Sequence, residues 1–331
     1  MQAPLRVAIH GFGRIGRVLF RQLALLPQIQ VVAINDTAFS TREMAYLANF
    51  DSVYGRCRVP LTVINDHQLA LEDQPILTFS QADFAWIPAN TQILIDASGD
   101  KQQLLGACRA LAIQVDQVLI TCPLHQSDVA LNLYGVQQAS TEDPMVSFSS
   151  CDAAAVAPLM AWFEETYGVE EVAITTLHPV LNNQNVLDGK SPDDQLQLGR
   201  SALNAVIPKT SSLQPILQQL FPHCAVRVLN FRVPTNAVTC AQFHFTLKSE
   251  STLQTLREEL LGWIEEQGAA LVVGVDHPAT SLDFVGESAS LIMDWSWLEV
   301  SGKEVRGLIW YDNEWGYAAQ ITRYLLARSL G

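Results

Sequence analysis

Short apolar runs that end in glycine or an acid alternate with helix-period stretches through the first half of the chain. Val7-Ala8-Ile9 is followed by Gly11-Phe12-Gly13-Arg14-Ile15-Gly16, then by Val18, Leu19, Leu23 and Leu26 at helical spacing. Strands buried on both faces read as unbroken apolar runs, and the helices that cover them show a period near 3.6. The runs Val31 to Asn35, Ile93 to Asp96 and Val118 to Ile120 continue the alternation. From about residue 152 the pattern lengthens to period-two stretches, Val172 to Thr176 and Ala241 to Leu247, which predict an antiparallel or mixed sheet. The expectation is an α/β domain over 1–150, an α+β domain over 151–314, and a C-terminal helix over 315–331 that packs back onto the first domain.

At 331 residues the chain has room for two cores. It is 49% hydrophobic and 16% charged, with no apolar run of membrane-spanning length, and its first apolar segment is too short for a signal peptide. Six cysteines without a C-x-x-C pair point to a reducing cytoplasm. A formal charge of −14 argues against nucleic-acid partners and makes individual arginines informative for anionic substrates.

The glycine segment has a mechanism. Gly11 permits a tight turn, Gly13 lets backbone approach a pyrophosphate, and Gly16 allows close helix packing, while the following helix offers N–H donors. Asp36 lies twenty residues beyond the last glycine, at the end of the second strand, where a carboxylate accepts ribose hydroxyls and repels the extra phosphate of NADP. NAD is therefore the expected cofactor. Ser98, Gly99 and Thr121 follow later strands and reach the same carboxyl edge, where open α/β sheets bind ligands.

Cys151 stands just before a helix-forming stretch, Ala154 to Tyr167, and His178 ends a strand-like one. A thiol at a helix N-terminus with an imidazole nearby makes a candidate nucleophile and base, although a histidine taken alone is more often a core residue. In order and spacing, H-G-F-G-R-I-G, A-I-N-D, the Cys151 segment, T-T-L-H, F-R-V-P-T and W-Y-D-N-E-W-G-Y together resemble the glyceraldehyde-3-phosphate dehydrogenase family, including its erythrose-4-phosphate dehydrogenase branch. The resemblance covers nearly the whole chain. It implies a Rossmann NAD-binding domain, a catalytic domain and a cytoplasmic homotetramer acting on a small phosphorylated aldehyde. Cys151 would attack the aldehyde and His178 would serve as base. Asn313 would hold the nicotinamide carboxamide, and Arg232 the substrate phosphate.

The chain also departs from that pattern. Where the family reads S-N-A-S-C-T-T-N-C, this sequence reads Ser147-Phe148-Ser149-Ser150-Cys151-Asp152-Ala153-Ala154-Ala155. Asp152 replaces a threonine implied to hold inorganic phosphate, and a carboxylate there repels phosphate and raises the thiol pKa. Leu181, Asn183 and Gln197 replace further phosphate contacts, whereas Ser211 and Ser212 keep hydroxyls in the cradle. The residues implied to meet substrate are Ser150, Asp152, Asn183, Ser211, Ser212 and Arg232. The expected activity is NAD-dependent oxidation of a glyceraldehyde 3-phosphate or erythrose 4-phosphate class aldehyde with an impaired inorganic-phosphate site. The alternative is a catalytically degenerate NAD-binding member with a regulatory or binding role. His10 reads as a structural neighbour of the glycine turn, and His125, His223 and His277 lack metal-ligand spacing, so no metal is expected. Trp295 and Trp297 read as core and subunit interface.

Overall fold

The computed structural model describes residues 3–100, 114–124, 129–182, 184–191 and 194–330. The chain divides into two compact units, Met1–Ser150 with Tyr317–Gly331, and Cys151–Gly316.

In the first unit the strands are β1 (Leu5–His10), β2 (Ile29–Asn35), β3 (Phe50–Asp51), β4 (Gly55–Arg56), β5 (Leu61–Asn65), β6 (Gln68–Leu71), β7 (Gln74–Phe79), β8 (Ile93–Asp96), β9 (Gln117–Ile120), β10 (Ala130–Leu131) and β11 (Met145–Ser147). Nine of them form one sheet in the order β10-β11-β9-β8-β1-β2-β7-β6-β5. From β10 through β7 the pairings are parallel, and β6 and β5 add an antiparallel extension. The apolar runs are the central strands: every residue of β8 and β9 is buried. Helix α1 (Arg14–Leu23) buries its residues from Gly16 to Leu23, and α2 (Thr41–Asn49) opens on a capping box between Ser40 and Glu43. The chain leaves β1 toward β2 on one side and returns through β8 on the other, so the strand order reverses at β1. Such a switch point leaves a crevice at the carboxyl ends of the strands. The last helix joins this unit by specific bonds: Thr322 Oγ1 donates to Gln22 Oε1 at 2.8 Å, and Gln117 Nε2 donates to Tyr324 Oη at 2.8 Å.

The second unit begins with α3 (Cys151–Tyr167). It continues through β12 (Val169–Pro179), β13 (Ile207–Lys209), α4 (Leu213–Leu220), β14 (Ala225–Val233), β15 (Thr239–Leu247), α5 (Leu253–Gln267), β16 (Val272–Val275), β17 (Leu291–Ser301) and β18 (Glu304–Tyr311), with α6 (Trp315–Leu330) following. The sheet order is β13-β14-β12-β15-β18-β17-β16. It is mixed: β12 pairs parallel with β14 and antiparallel with β15, which in turn pairs antiparallel with β18. Strands β12, β14 and β18 therefore run the same way and deliver their last residues to one edge. Alternation in β15 sends Phe243 and Phe245 inward against Phe163 of α3, whose ring stacks on Phe245 at 4.4 Å. Truncating such a buried ring costs about 3–5 kcal/mol, so this contact anchors α3, and with it Cys151, to the sheet. No helix among the described residues is long and apolar enough to cross a membrane.

Candidate active site

The crevice of the first unit is a cavity of about 490 Å³, whose lining includes His10, Gly11, Asp36, Phe84, Asp96 and Ser98. Gly11 has φ +86°, and a Cβ there would lie 2.4 Å from the backbone nitrogen of Ser98, so only glycine lets β1 and β8 approach. A Cβ on Gly16 would meet the Gly11 carbonyl at 2.1 Å, while nothing lies within 4 Å of one on Gly13. No side chain caps α1, which leaves its N-terminal N–H groups and dipole facing this turn. The Asp36 carboxylate is aimed by two backbone donors, Phe12 N at 2.6 Å and Ala38 N at 2.8 Å. Open backbone at Gly13, an uncapped helix start and a held acid are the features that a dinucleotide's pyrophosphate and ribose require, so these residues fit NAD.

Other predicted members of this cleft have more structural partners. Arg14 pairs with Asp51 at 2.5 Å, Ile15 is half-buried, and Gly99 adopts φ +74° in the turn after β8. Thr121 N donates to the Asp96 carbonyl at 3.0 Å, and Thr121 does not line the cavity. His10 Nδ1 meets Asn35 Nδ2 at 2.9 Å, and its ring packs between Phe84 and Trp86. Burial lowers its pKa, against the opposing pull of Asp36 and Asp100.

The thiol lies in the second unit. Ser149, two residues before Cys151, has φ 58°, in the left-handed region that disfavours non-glycine residues, and the backbone turns there into α3. Cys151 is the first helical residue. Its Sγ lies 3.8 Å from His178 Nε2 and 3.7 Å from Asp152 Oδ1. His178, next to last in β12, places Nδ1 2.8 Å from the Pro179 carbonyl. A carbonyl only accepts, so Nδ1 carries the proton and Nε2 of the neutral ring presents its lone pair to the sulfur. Arg232 is the register partner of His178 across β12 and β14, and its Nη1 donates to the same Pro179 carbonyl at 3.5 Å. Tyr311, the last residue of β18, donates its hydroxyl to Asp152 Oδ1 at 2.9 Å. The shared edge of three like-directed strands thus assembles imidazole, guanidinium and phenol around a thiol held by α3.

Burial dominates the electrostatics. It pushes the Cys151 thiol well above its ordinary range, the Asp152 carboxylate adds to that rise, and Arg232 opposes it. Burial also lowers His178 to about 4, with Asp152 pulling the other way and Arg232 and Lys209 adding to the drop. The resting pair is a thiol beside a neutral imidazole. The helix start, read from sequence as a thiolate-stabilising feature, is outweighed by desolvation.

Comparison with known proteins agrees with both halves of this arrangement. Residues 5–103 match the model of the glyceraldehyde 3-phosphate dehydrogenase NAD binding domain, and residues 150–313 match that of the C-terminal domain. The cytosolic glyceraldehyde-3-phosphate dehydrogenase of Chlamydomonas reinhardtii is 30% identical over 330 residues, covering 97% of this chain and 96% of that protein. The glyceraldehyde-3-phosphate dehydrogenase of Phytophthora infestans is 30% identical over 325 residues, with 96% and 97% coverage. This chain belongs to the glyceraldehyde-3-phosphate dehydrogenase family. It is an NAD-dependent dehydrogenase of that type.

Within this dehydrogenase the predicted phosphate positions are dispersed. Ser211 and Gln197 line a second cavity of about 500 Å³ together with Lys209 and Thr210. The Ser211 hydroxyl accepts from Leu213 N at 3.1 Å at the start of α4, Ser212 is the backbone N-cap, and Gln197 Nε2 donates to the Pro208 carbonyl at 3.2 Å. Leu181 N donates to Gln184 Oε1 at 2.9 Å, Ser150 is half-buried, and Asn183 lies outside the described residues, as does His125. Asn313 is buried, with its amide oxygen accepting from Thr239 Oγ1 at 3.3 Å. Trp295 is buried and Trp297 is 61% exposed.

Three residues of the dehydrogenase escaped the sequence reading. Tyr311 had a signal, since alternation along β18 buries Val305, Ile309 and Tyr311 on one face. Lys209 had none: its nearness to His178 arises from pairing of β13 with β14, which joins segments separated by α4. Asp96 ends β8 as an ordinary strand-terminal acid, yet its Oδ2 is buried without a hydrogen-bond partner and its pKa is pushed up to about 6, chiefly by desolvation.

Proposed function

We propose that this dehydrogenase oxidises a small phosphorylated aldehyde through a covalent Cys151 adduct and releases the acyl group to water rather than to inorganic phosphate. The observation that carries the reading is the triangle of Cys151, His178 and Asp152, with sulfur 3.8 Å from a histidine nitrogen that presents its lone pair and 3.7 Å from a carboxylate.

His178 Nε2 takes the thiol proton as sulfur attacks the aldehyde carbon, so the proton leaves in concert with C–S bond formation and no free thiolate need form in this buried site. The resulting N–H then donates to the hemiacetal oxygen, and the Pro179 carbonyl holds the ring in this orientation. NAD, when bound, supplies the acceptor for the hydride that leaves the hemiacetal carbon. The hemiacetal proton returns to His178 and passes on to solvent, leaving a thioester on Cys151 and a neutral imidazole. Arg232 and Lys209 supply positive charge for the substrate phosphate in a chain whose net charge is −14. Asp152 discourages a second anion beside the thioester and accepts a hydrogen bond from an incoming water. Hydrolysis then yields the carboxylic acid and restores the thiol.

The test is NAD reduction with glyceraldehyde 3-phosphate, erythrose 4-phosphate and unphosphorylated aldehydes, each with and without inorganic phosphate. Phosphorylated aldehydes are expected to be oxidised by the native enzyme and not by Cys151→Ser, with little response to added phosphate. Tight NAD binding without turnover across the whole panel would favour a non-catalytic, binding role instead.

A further inference from the structure

The three side chains around the thiol are also a set of metal donors. Among the described residues, Cys151, Asp152 and His178 form the group whose sulfur, carboxylate oxygen and imidazole nitrogen all lie within 4.8 Å of one another. Two edges are 3.7 Å, from sulfur to Asp152 Oδ1, and 3.8 Å, from sulfur to His178 Nε2. Tetrahedral zinc, with bonds of about 2.3 Å to sulfur and about 2.0–2.1 Å to nitrogen or oxygen, needs edges of about 3.5–3.6 Å. Both edges close onto an ion with shifts of a few tenths of an ångström.

The surrounding hydrogen bonds suit an ion as well. A ligating imidazole ordinarily donates its other N–H to a carbonyl or carboxylate, and His178 Nδ1 donates to Pro179. A ligating carboxylate is itself held by an outer donor, and the Tyr311 hydroxyl holds Asp152 Oδ1. The third edge, between imidazole nitrogen and carboxylate oxygen, lies within 4.8 Å, so an ion would draw these two donors together. The Arg232 guanidinium opposes a cation electrostatically, which makes two anionic ligands necessary and gives Asp152 a decisive part.

We propose that Cys151, Asp152 and His178 form a binding site for a thiophilic divalent cation of the zinc class, with a fourth position for water, and that occupancy reversibly silences the enzyme. On binding, the Cys151 S–H bond breaks, its proton passes to buffer, and the sulfur, the Nε2 lone pair and an Asp152 oxygen each bond the metal without any electron transfer. Nucleophile and base are then both engaged, and a chelator restores them. The site stands apart from the choice of aldehyde or acyl acceptor, because its readout is spectroscopic.

The test uses the full-length protein with Co²⁺ as the probe. Equimolar Co²⁺ is expected to give a thiolate-to-cobalt charge-transfer band with the intense visible bands of tetrahedral coordination. Cys151→Ser should abolish the charge-transfer band, and Asp152→Thr should weaken Co²⁺ affinity by more than about tenfold. Zn²⁺ should protect Cys151 from iodoacetamide in the native protein, and much less in Asp152→Thr. Circular dichroism and NAD binding establish that each variant is folded. Absence of the charge-transfer band in folded native protein, or equal Co²⁺ affinity in native protein and Asp152→Thr, would overturn the proposal.

Discussion

Asp152 differs from its neighbours in how much of its consequence was visible in advance. Its carboxylate beside the thiol was legible from the chain, because adjacent residues at the start of a helix must share a neighbourhood. Its hydrogen bond from Tyr311 was not, since 159 positions separate the two and only the sheet brings them together. Lys209 shows the same limit more sharply: a lone lysine after a proline carries no local signal, yet its charge reaches His178. If Lys209 faces the substrate phosphate, Lys209→Gln will raise KM for phosphorylated aldehydes by about tenfold, the worth of one charge-assisted hydrogen bond, with kcat little changed. KM for an unphosphorylated aldehyde will stay the same. Equal effects on both substrates would place Lys209 in a general structural role instead.

Among the elements, the central strands and the glycine turn were readable because their apolar runs and glycines answer to local geometry. The antiparallel strands β5 and β6 were not foreseen, because β5 is largely exposed and β6 buries two adjacent residues, so neither shows a clean alternation. Strand β8 was recognised, but the half-satisfied buried carboxylate at its end was not. Asp96 Oδ1 accepts from Ser98 N at 3.0 Å and from Ser98 Oγ at 2.8 Å, while Oδ2 has no partner, and Asp100 adds repulsion. Its folded pKa of about 6 exceeds the unfolded carboxylate value of about 3.9, so between these limits the folded state keeps a proton that the unfolded chain has lost. Stability therefore falls as pH rises through this window and stays lower above it. Asp96→Asn removes that loss, so the stability of the variant relative to native protein should improve between about pH 4 and about pH 7.5 by up to about 3 kcal/mol. Urea unfolding of the NAD-free protein at the two pH values measures it. A constant difference between variant and native protein would show that Asp96 does not titrate in this way.

For the molecule as a whole, family membership rests on matches spread over both units, whereas the departures Asp152, Leu181, Asn183 and Gln197 all fall in the second. The NAD-binding parts were legible because a glycine loop, a helix start and an acid lie within forty residues. The thiol site was legible as a thiol, a histidine and the carboxylate next to the thiol, with Arg232 carried only by the family resemblance, since the strand edge that gathers His178, Arg232 and Tyr311 exists only once β12, β14 and β18 are aligned. In the proposed reaction oxidation is retained while acyl transfer to phosphate is replaced by hydrolysis. The direct measurement is the amount of inorganic phosphate consumed per NADH formed, followed by phosphorus NMR with saturating phosphorylated aldehyde and excess phosphate. NADH should form with no matching loss of inorganic phosphate and no acyl-phosphate signal. One phosphate consumed for each NADH, with an acyl phosphate accumulating, would contradict it.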